Sequence, residues 1–213
     1  MKKIFLLFTS LILAISSLSC APGLYEYHSV SPARYHEHYR EIPMYVDGHM
    51  TKEGRQSLAN AINDWNYALN KEMLITVKTW ALDVNTDSGQ AIVQQVKITH
   101  QGIVVLWLNH DDPVVQAMDP DGNALAFVDG LGRKADMLVI VQDTIGNRNL
   151  KVILEHEIGH ILGASHTMAK SLMYPYADSN QSPCIDKITM LQIANYNDLD
   201  PAVLNYCVIP NLN

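Results

Sequence analysis

Positive charge is scarce in this chain: 15 lysines and arginines face 22 acids, for a formal charge of −7. No Lys/Arg cluster occurs beyond residue 3. A nucleic acid or an anionic membrane surface needs a cationic face, so neither partner is expected. Cysteine is equally sparse. Cys20, Cys184 and Cys207 are the whole supply, and none sits in a setting that suggests a thiol nucleophile. There is no internal repeat and no low-complexity segment. The apolar run Ile4–Ile15 is shorter than the ~18 to 20 residues a membrane-spanning helix needs.

What is present begins with that run. Lys2 and Lys3 precede it and Ser16-Ser17-Leu18-Ser19 follows, the layout of an export signal over residues 1–19. Loss of both lysines takes the exported chain from −7 to about −9. Leu18-Ser19-Cys20 resembles a bacterial lipoprotein processing site, in which the cysteine becomes the lipidated first residue. Ser17 and Ser19 also suit ordinary signal cleavage, so both outcomes stay open. Cys184 and Cys207 can pair in an oxidising compartment, which leaves Cys20 as the odd cysteine. The expected location is therefore outside the cytoplasm, either secreted or lipid-anchored at Cys20 in the bacterial cell envelope. Any membrane contact would be through that anchor alone.

Residues 20–40 hold Pro22, Gly23, Ser29, Ser31 and Pro32 without a clean period, and read as a tether or irregular lead-in. His28, His36 and His38 fit a solvated linker better than a metal tract. Residues 41–213 are expected to form one domain, with 48% hydrophobic residues in the chain to fill its core. Ile42–Val46 is predicted as a short strand that Pro43 confines to an edge or a strand start. Thr51 caps a predicted helix with Leu58, Ala61, Ile62, Trp65 and Leu69 at helical spacing. Met73–Trp80, Ile103–Leu108, Ala124–Val128 and Met137–Val141 follow as predicted strands. A helix is predicted from about Asn149 to Leu162. A last helix is expected after Ser182-Pro183, a cap followed by proline. His100 and His110 read as ordinary polar residues.

The chemistry lies in His156-Glu157-Ile158-Gly159-His160-Ile161-Leu162-Gly163-Ala164-Ser165-His166. Residues four apart on a helix lie one above the other, so His156 and His160 present imidazoles to one point. That is what zinc accepts. Glu157 stands one step round the helix, close enough to take a proton from water activated by the metal. Gly163 suits the left-handed turn that ends a helix and lets the chain return with His166 as third ligand. Three protein ligands mark a catalytic rather than a structural site. By the chain's own residue frequencies, the five fixed positions arise by chance at on the order of 10⁻⁵ over ~200 start positions.

This segment resembles the long zinc-binding motif of the metzincin metallopeptidases, and Ser171-Leu172-Met173-Tyr174-Pro175 resembles their Met-turn in its matrixin form. The resemblance implies an α+β fold with a twisted, mostly parallel five-stranded sheet, an active-site helix and a C-terminal helix. It implies one catalytic zinc ion on His156, His160 and His166, Glu157 as general base, and Met173 as an apolar floor beneath the metal. Tyr174, Pro175 and Tyr176 would wall the substrate pocket, and the strand near Ala124–Val128 would pair with an extended peptide. No counterpart of the matrixin cysteine-switch propeptide is seen. Asp121–Phe127 is similar to the matrixin metal loop but lacks its histidine. Asp119, Asp121 and Asn123 offer oxygens that calcium takes, and equally make a plain turn, the preferred reading. The function expected is a zinc endopeptidase acting as a monomer on protein or peptide substrates. The competing readings are a catalytically silent zinc-containing surface protein, and an envelope metal carrier that would surrender its ion readily.

Overall fold

The computed structural model describes residues 26–28, 40–82, 102–178 and 181–208. The export segment 1–19, Cys20, His36, His38 and His100 lie outside the described residues.

Two of the predicted strands, Ile-Val-Val-Leu-Trp-Leu and Met-Leu-Val-Ile-Val, are apolar at every position. Such runs belong to strands covered on both faces. They form β4 (Ile103–Leu108) and β6 (Met137–Val141) in the middle of a five-stranded sheet. Its other members are β2 (Arg40–Asp47), β3 (Met73–Leu82) and β5 (Ala126–Val128), in the order β3-β2-β4-β6-β5. Neighbours run parallel except β5, which is antiparallel to β6 at the edge. The architecture is the mostly parallel α+β fold expected from the sequence.

One face of the sheet, with Met44, Val105 and Ile140, packs with α1 (Lys52–Ala68) and α3 (Leu150–Ile161) into the main core. On the other face Val104, Leu106 and Val139 meet Val114 and Val115 of α2 (Pro113–Met118). Thr51 caps α1 by accepting the Gly54 N–H at 3.0 Å. Trp65, fully buried on α1, donates its indole N–H to the Glu155 carbonyl at 3.0 Å and so fastens α1 to α3. A buried indole with a satisfied N–H supplies both area and register.

Several elements differ from their predicted form. Pro43 lies in β2, which is an interior strand. The proline is tolerated because pairing on the β4 side begins only at Met44–Ile103. Gly102 abuts it there, where a Cβ would come within 2.6 Å of the Pro43 carbonyl oxygen. β5 starts at Ala126 rather than Ala124, since the Ala124 N–H is taken by the Asp119 carboxylate at 2.7 Å. The last helix, α4 (Lys187–Asn197), starts after Asp186 and not after Ser182-Pro183. Ser182 turns inward instead, and its hydroxyl donates to the Cys184 carbonyl at 2.9 Å. The lead-in contributes β1 (Glu26–His28), paired antiparallel with β7 (Tyr206–Val208). His28 stacks on Tyr206 with ring centroids 4.6 Å apart.

Cys184 and Cys207 are joined by a disulfide across a sequence separation of 23. A loop of that length restricts the unfolded chain by about 3 kcal/mol in the chain-entropy account. The bond ties β7, and β1 with it, to the approach to α4.

Candidate active site

α3 is buried almost all round, with Val152, Ile153, Leu154, Ile158 and Ile161 all within the core. An interior helix of this kind holds its polar side chains rigidly, because its apolar neighbours leave them no freedom. His156 and His160 leave α3 on one side. Gly163 then ends the helical path at φ +101°. A Cβ there would sit 2.3 Å from the Tyr196 ring, so both backbone and space require glycine. The chain doubles back and brings in His166.

The three imidazoles converge. His156 Nε2 and His166 Nε2 are 3.1 Å apart, and His160 Nε2 and His166 Nε2 are 3.2 Å apart. His156 Nδ1 donates to the Leu172 carbonyl at 2.7 Å and His160 Nδ1 to the Ala164 carbonyl at 2.8 Å. A carbonyl only accepts, so the protons of these two rings lie on Nδ1 and their Nε2 lone pairs face inward. Nitrogens bound tetrahedrally to zinc at about 2.1 Å stand roughly 3.4 Å apart. The observed spacing fits a zinc ion. Among the described residues this is the one group of three or more His, Cys, Asp or Glu side chains with ligand spacing. Asp119, by contrast, spends one carboxylate oxygen on Ala124 and accepts the Gly122 N–H at its backbone carbonyl. Residues 119–124 are a turn, and calcium finds no support there.

Burial sets the charges. It drives His156 down to about 4 and lowers His160 and His166 as well, so the ligands stay neutral as a metal requires. Glu157 is only 7% exposed, and burial pushes its carboxyl up to about 8.

The Met-turn residues lie beneath this centre. Met173 is fully buried, and a Cβ on Gly159 would come within 2.6 Å of its sulfur. The thioether therefore rests against bare helix backbone between the two histidine turns, a need for glycine at 159 that the spacing of the motif did not announce. Pro175 and Tyr176 line a cleft of about 450 Å³ together with His156, Glu157 and the segment Asn123–Val128. Tyr174 does not line it; its ring packs edge-on against Tyr176 at 5.8 Å.

The residue that sequence reasoning missed is Asp186. It is 1% exposed, and its Oδ1 accepts the Ile188 and Thr189 N–H groups as an N-cap at 2.9 and 3.1 Å. Its Oδ2 accepts the Leu172 N–H at 2.7 Å and the Ser171 and Thr189 hydroxyls, both at 2.9 Å. An Asp preceding Lys187-Ile188-Thr189 was a readable cap signal. Its hold on Leu172, whose carbonyl positions His156, depends on tertiary placement.

A family model for matrixins (peptidase family M10) matches residues 51–190. The chain belongs to the matrixin family of zinc metallopeptidases. Metalloproteinase-II from Bacteroides fragilis superposes with a TM-score of 0.48 at 16% identity, covering 79% of this chain and 54% of that one. High choriolytic enzyme 1, a hatching-enzyme zinc-protease of the medaka fish Oryzias latipes, gives 0.34 at 15% identity, covering 59% and 44%. The chain thus spans about half the length of these two structures. No curated protein matches it in sequence.

Two outcomes follow from the geometry. Asp186→Asn is expected to weaken zinc binding by about 10- to 100-fold, read by competition with a chromophoric chelator; unchanged affinity would mean Leu172 is held without it. The second concerns the metal-free protein. Glu157 has a raised folded-state pKa, so its contribution to stability is complete below about pH 4.5 and is lost as pH rises toward 8. Glu157→Gln should match the parent in denaturant stability near pH 4.5 and exceed it by about 4 kcal/mol near pH 8. A pH-independent difference would contradict the burial argument.

Proposed function

We propose that the protein is an endopeptidase, with His156, His160 and His166 holding one zinc ion and Glu157 acting as general base. The observation that carries this reading is the convergence of three Nε2 atoms in a cleft that Glu157 also lines. Zinc, when bound, supplies Lewis acidity, easing the loss of a proton from water and polarising a carbonyl. Glu157 takes that proton on its carboxylate and passes it to the nitrogen of the leaving amine. The histidine rings stay aimed because two of them are anchored at Nδ1. Met173 excludes water from beneath them.

Substrate binding follows from β5. It is an edge strand, and six consecutive residues, Asn123–Val128, line the cleft. This edge strand, with the three residues that lead into it, suits addition of an extended chain through main-chain hydrogen bonds, which supports internal cleavage of a protein or peptide over removal of a terminal residue. Pro175 and Tyr176 also line this cleft. A catalytically silent binding protein is not favoured, because no ligand and no base is missing.

Cleavage of a denatured protein mixture by the protein from Ala21 onward tests the assignment. Activity should vanish with a zinc chelator and return with zinc. Glu157→Gln, with zinc still bound, should lose about 10²- to 10⁴-fold. Proteolysis at the parental rate by that variant would exclude Glu157 as the base.

We also propose an exported, monomeric enzyme tethered through a lipid on Cys20. No described helix is long and apolar enough to cross a membrane. Cys20→Ser should move the protein from the membrane fraction to the soluble one, whereas unaltered partitioning would favour ordinary signal cleavage.

A further inference from the structure

The cleft holds one charge that the hydrolysis above leaves unused. Arg148 lines it together with Ile153, His156 and Glu157. Its backbone is pinned on the loop between β6 and α3, where its N–H donates to the Ile145 carbonyl at 3.2 Å. The same loop is fastened to the start of the β5 segment, since the Thr144 hydroxyl bonds the Ala124 carbonyl at 3.0 Å. Among the described residues the Arg148 side chain makes one hydrogen bond, from Nη1 to the Thr144 carbonyl at 3.2 Å. A guanidinium has five N–H donors, so most of its fork remains to be used. Among the described residues no carboxylate lies within ion-pair distance of it. Lys151, three residues on, is the contrasting case: its ammonium sits between Asp64 and Glu155 at 2.5 and 2.7 Å.

The other ionisable side chains lining the cleft among the described residues are the three histidines, the Tyr176 phenol and Glu157, which is buried. Among the described residues Arg148 is therefore the one exposed fixed charge on the cleft lining, and it is positive in a chain whose net charge is −7. A planar fork of this kind matches a carboxylate through two parallel hydrogen bonds.

We infer that Arg148 selects substrates bearing an Asp or Glu side chain near the bond to be cut. This rests on the peptidase reading. The reach follows from the cleft: Arg148 and the three histidines line one space of about 450 Å³, and an extended peptide advances roughly 3.3 Å per residue. The acidic side chain thus falls within about three residues of the cut.

Peptides carrying Asp or Glu, or the isosteric Asn or Gln, at each of three positions on either side of the cut test the inference. The parent should favour the acidic member at one position by about fivefold to tenfold in kcat/KM, less at high salt. In Arg148→Gln the acid-to-amide ratio should collapse toward one, and Arg148→Glu should favour lysine there. Equal cleavage of acid and amide by the parent, or a ratio that survives Arg148→Gln, would overturn it. If no peptide is cleaved, the peptidase reading fails by itself, and the selection is then read from binding. Zinc-loaded Glu157→Gln should bind the acidic peptide more tightly in fluorescence anisotropy and lose the difference on adding Arg148→Gln. Equal binding of the two peptides would refute the selection.

Discussion

The Asp186 carboxylate accepts five hydrogen bonds while 1% exposed, and the metal centre is suspended from it. One oxygen starts α4; the other grips the Ser171-Leu172 turn. From that turn two successive carbonyls reach the centre. Leu172 orients His156, and Met173 accepts the Thr167 N–H at 3.0 Å, steadying the residue next to His166. Hydrogen bonds to a charged acceptor are worth about 1.5–3 kcal/mol each, and a buried carboxylate left short of donors costs at least as much. The arrangement is therefore fully made or strongly unfavourable, which suits a part whose task is to hold donor atoms at fixed spacing.

The same logic explains why α3 is so deeply embedded. Trp65 bonds its backbone from behind, at Glu155, and Met173 presses on it at Gly159. Tyr196 lies across both left-handed glycines nearby, Gly132 and Gly163, where either Cβ would strike its ring. Helix, turn and strand loop are thus locked from separate directions, and the histidines inherit that rigidity.

How much of this was readable follows from distance along the chain. The ligands His156, His160 and His166 span eleven residues, and helical periodicity plus one glycine turn suffices to bring them together. The central strands β4 and β6 announced themselves as unbroken apolar runs. Asp186 looked like any residue before a helix, because only packing reveals that its second oxygen meets Leu172. Gly159 was opaque for the same reason: its neighbour Met173 is fourteen positions away. β1 and β7 are three residues each, too short for an alternating pattern, and they pair across most of the chain. α2, with six residues, carried its signal only in the Asp112 cap and Pro113.

The disulfide has a consequence for when the site can exist. Cys184 stands two residues before Asp186, and the Cys207 N–H bonds the Ile185 carbonyl at 2.8 Å, so the segment that delivers the carboxylate is clamped on both sides. Thiols in a reducing compartment leave that clamp open. The brace behind the zinc-binding sequence is therefore complete only under conditions in which the Cys184–Cys207 bond can form.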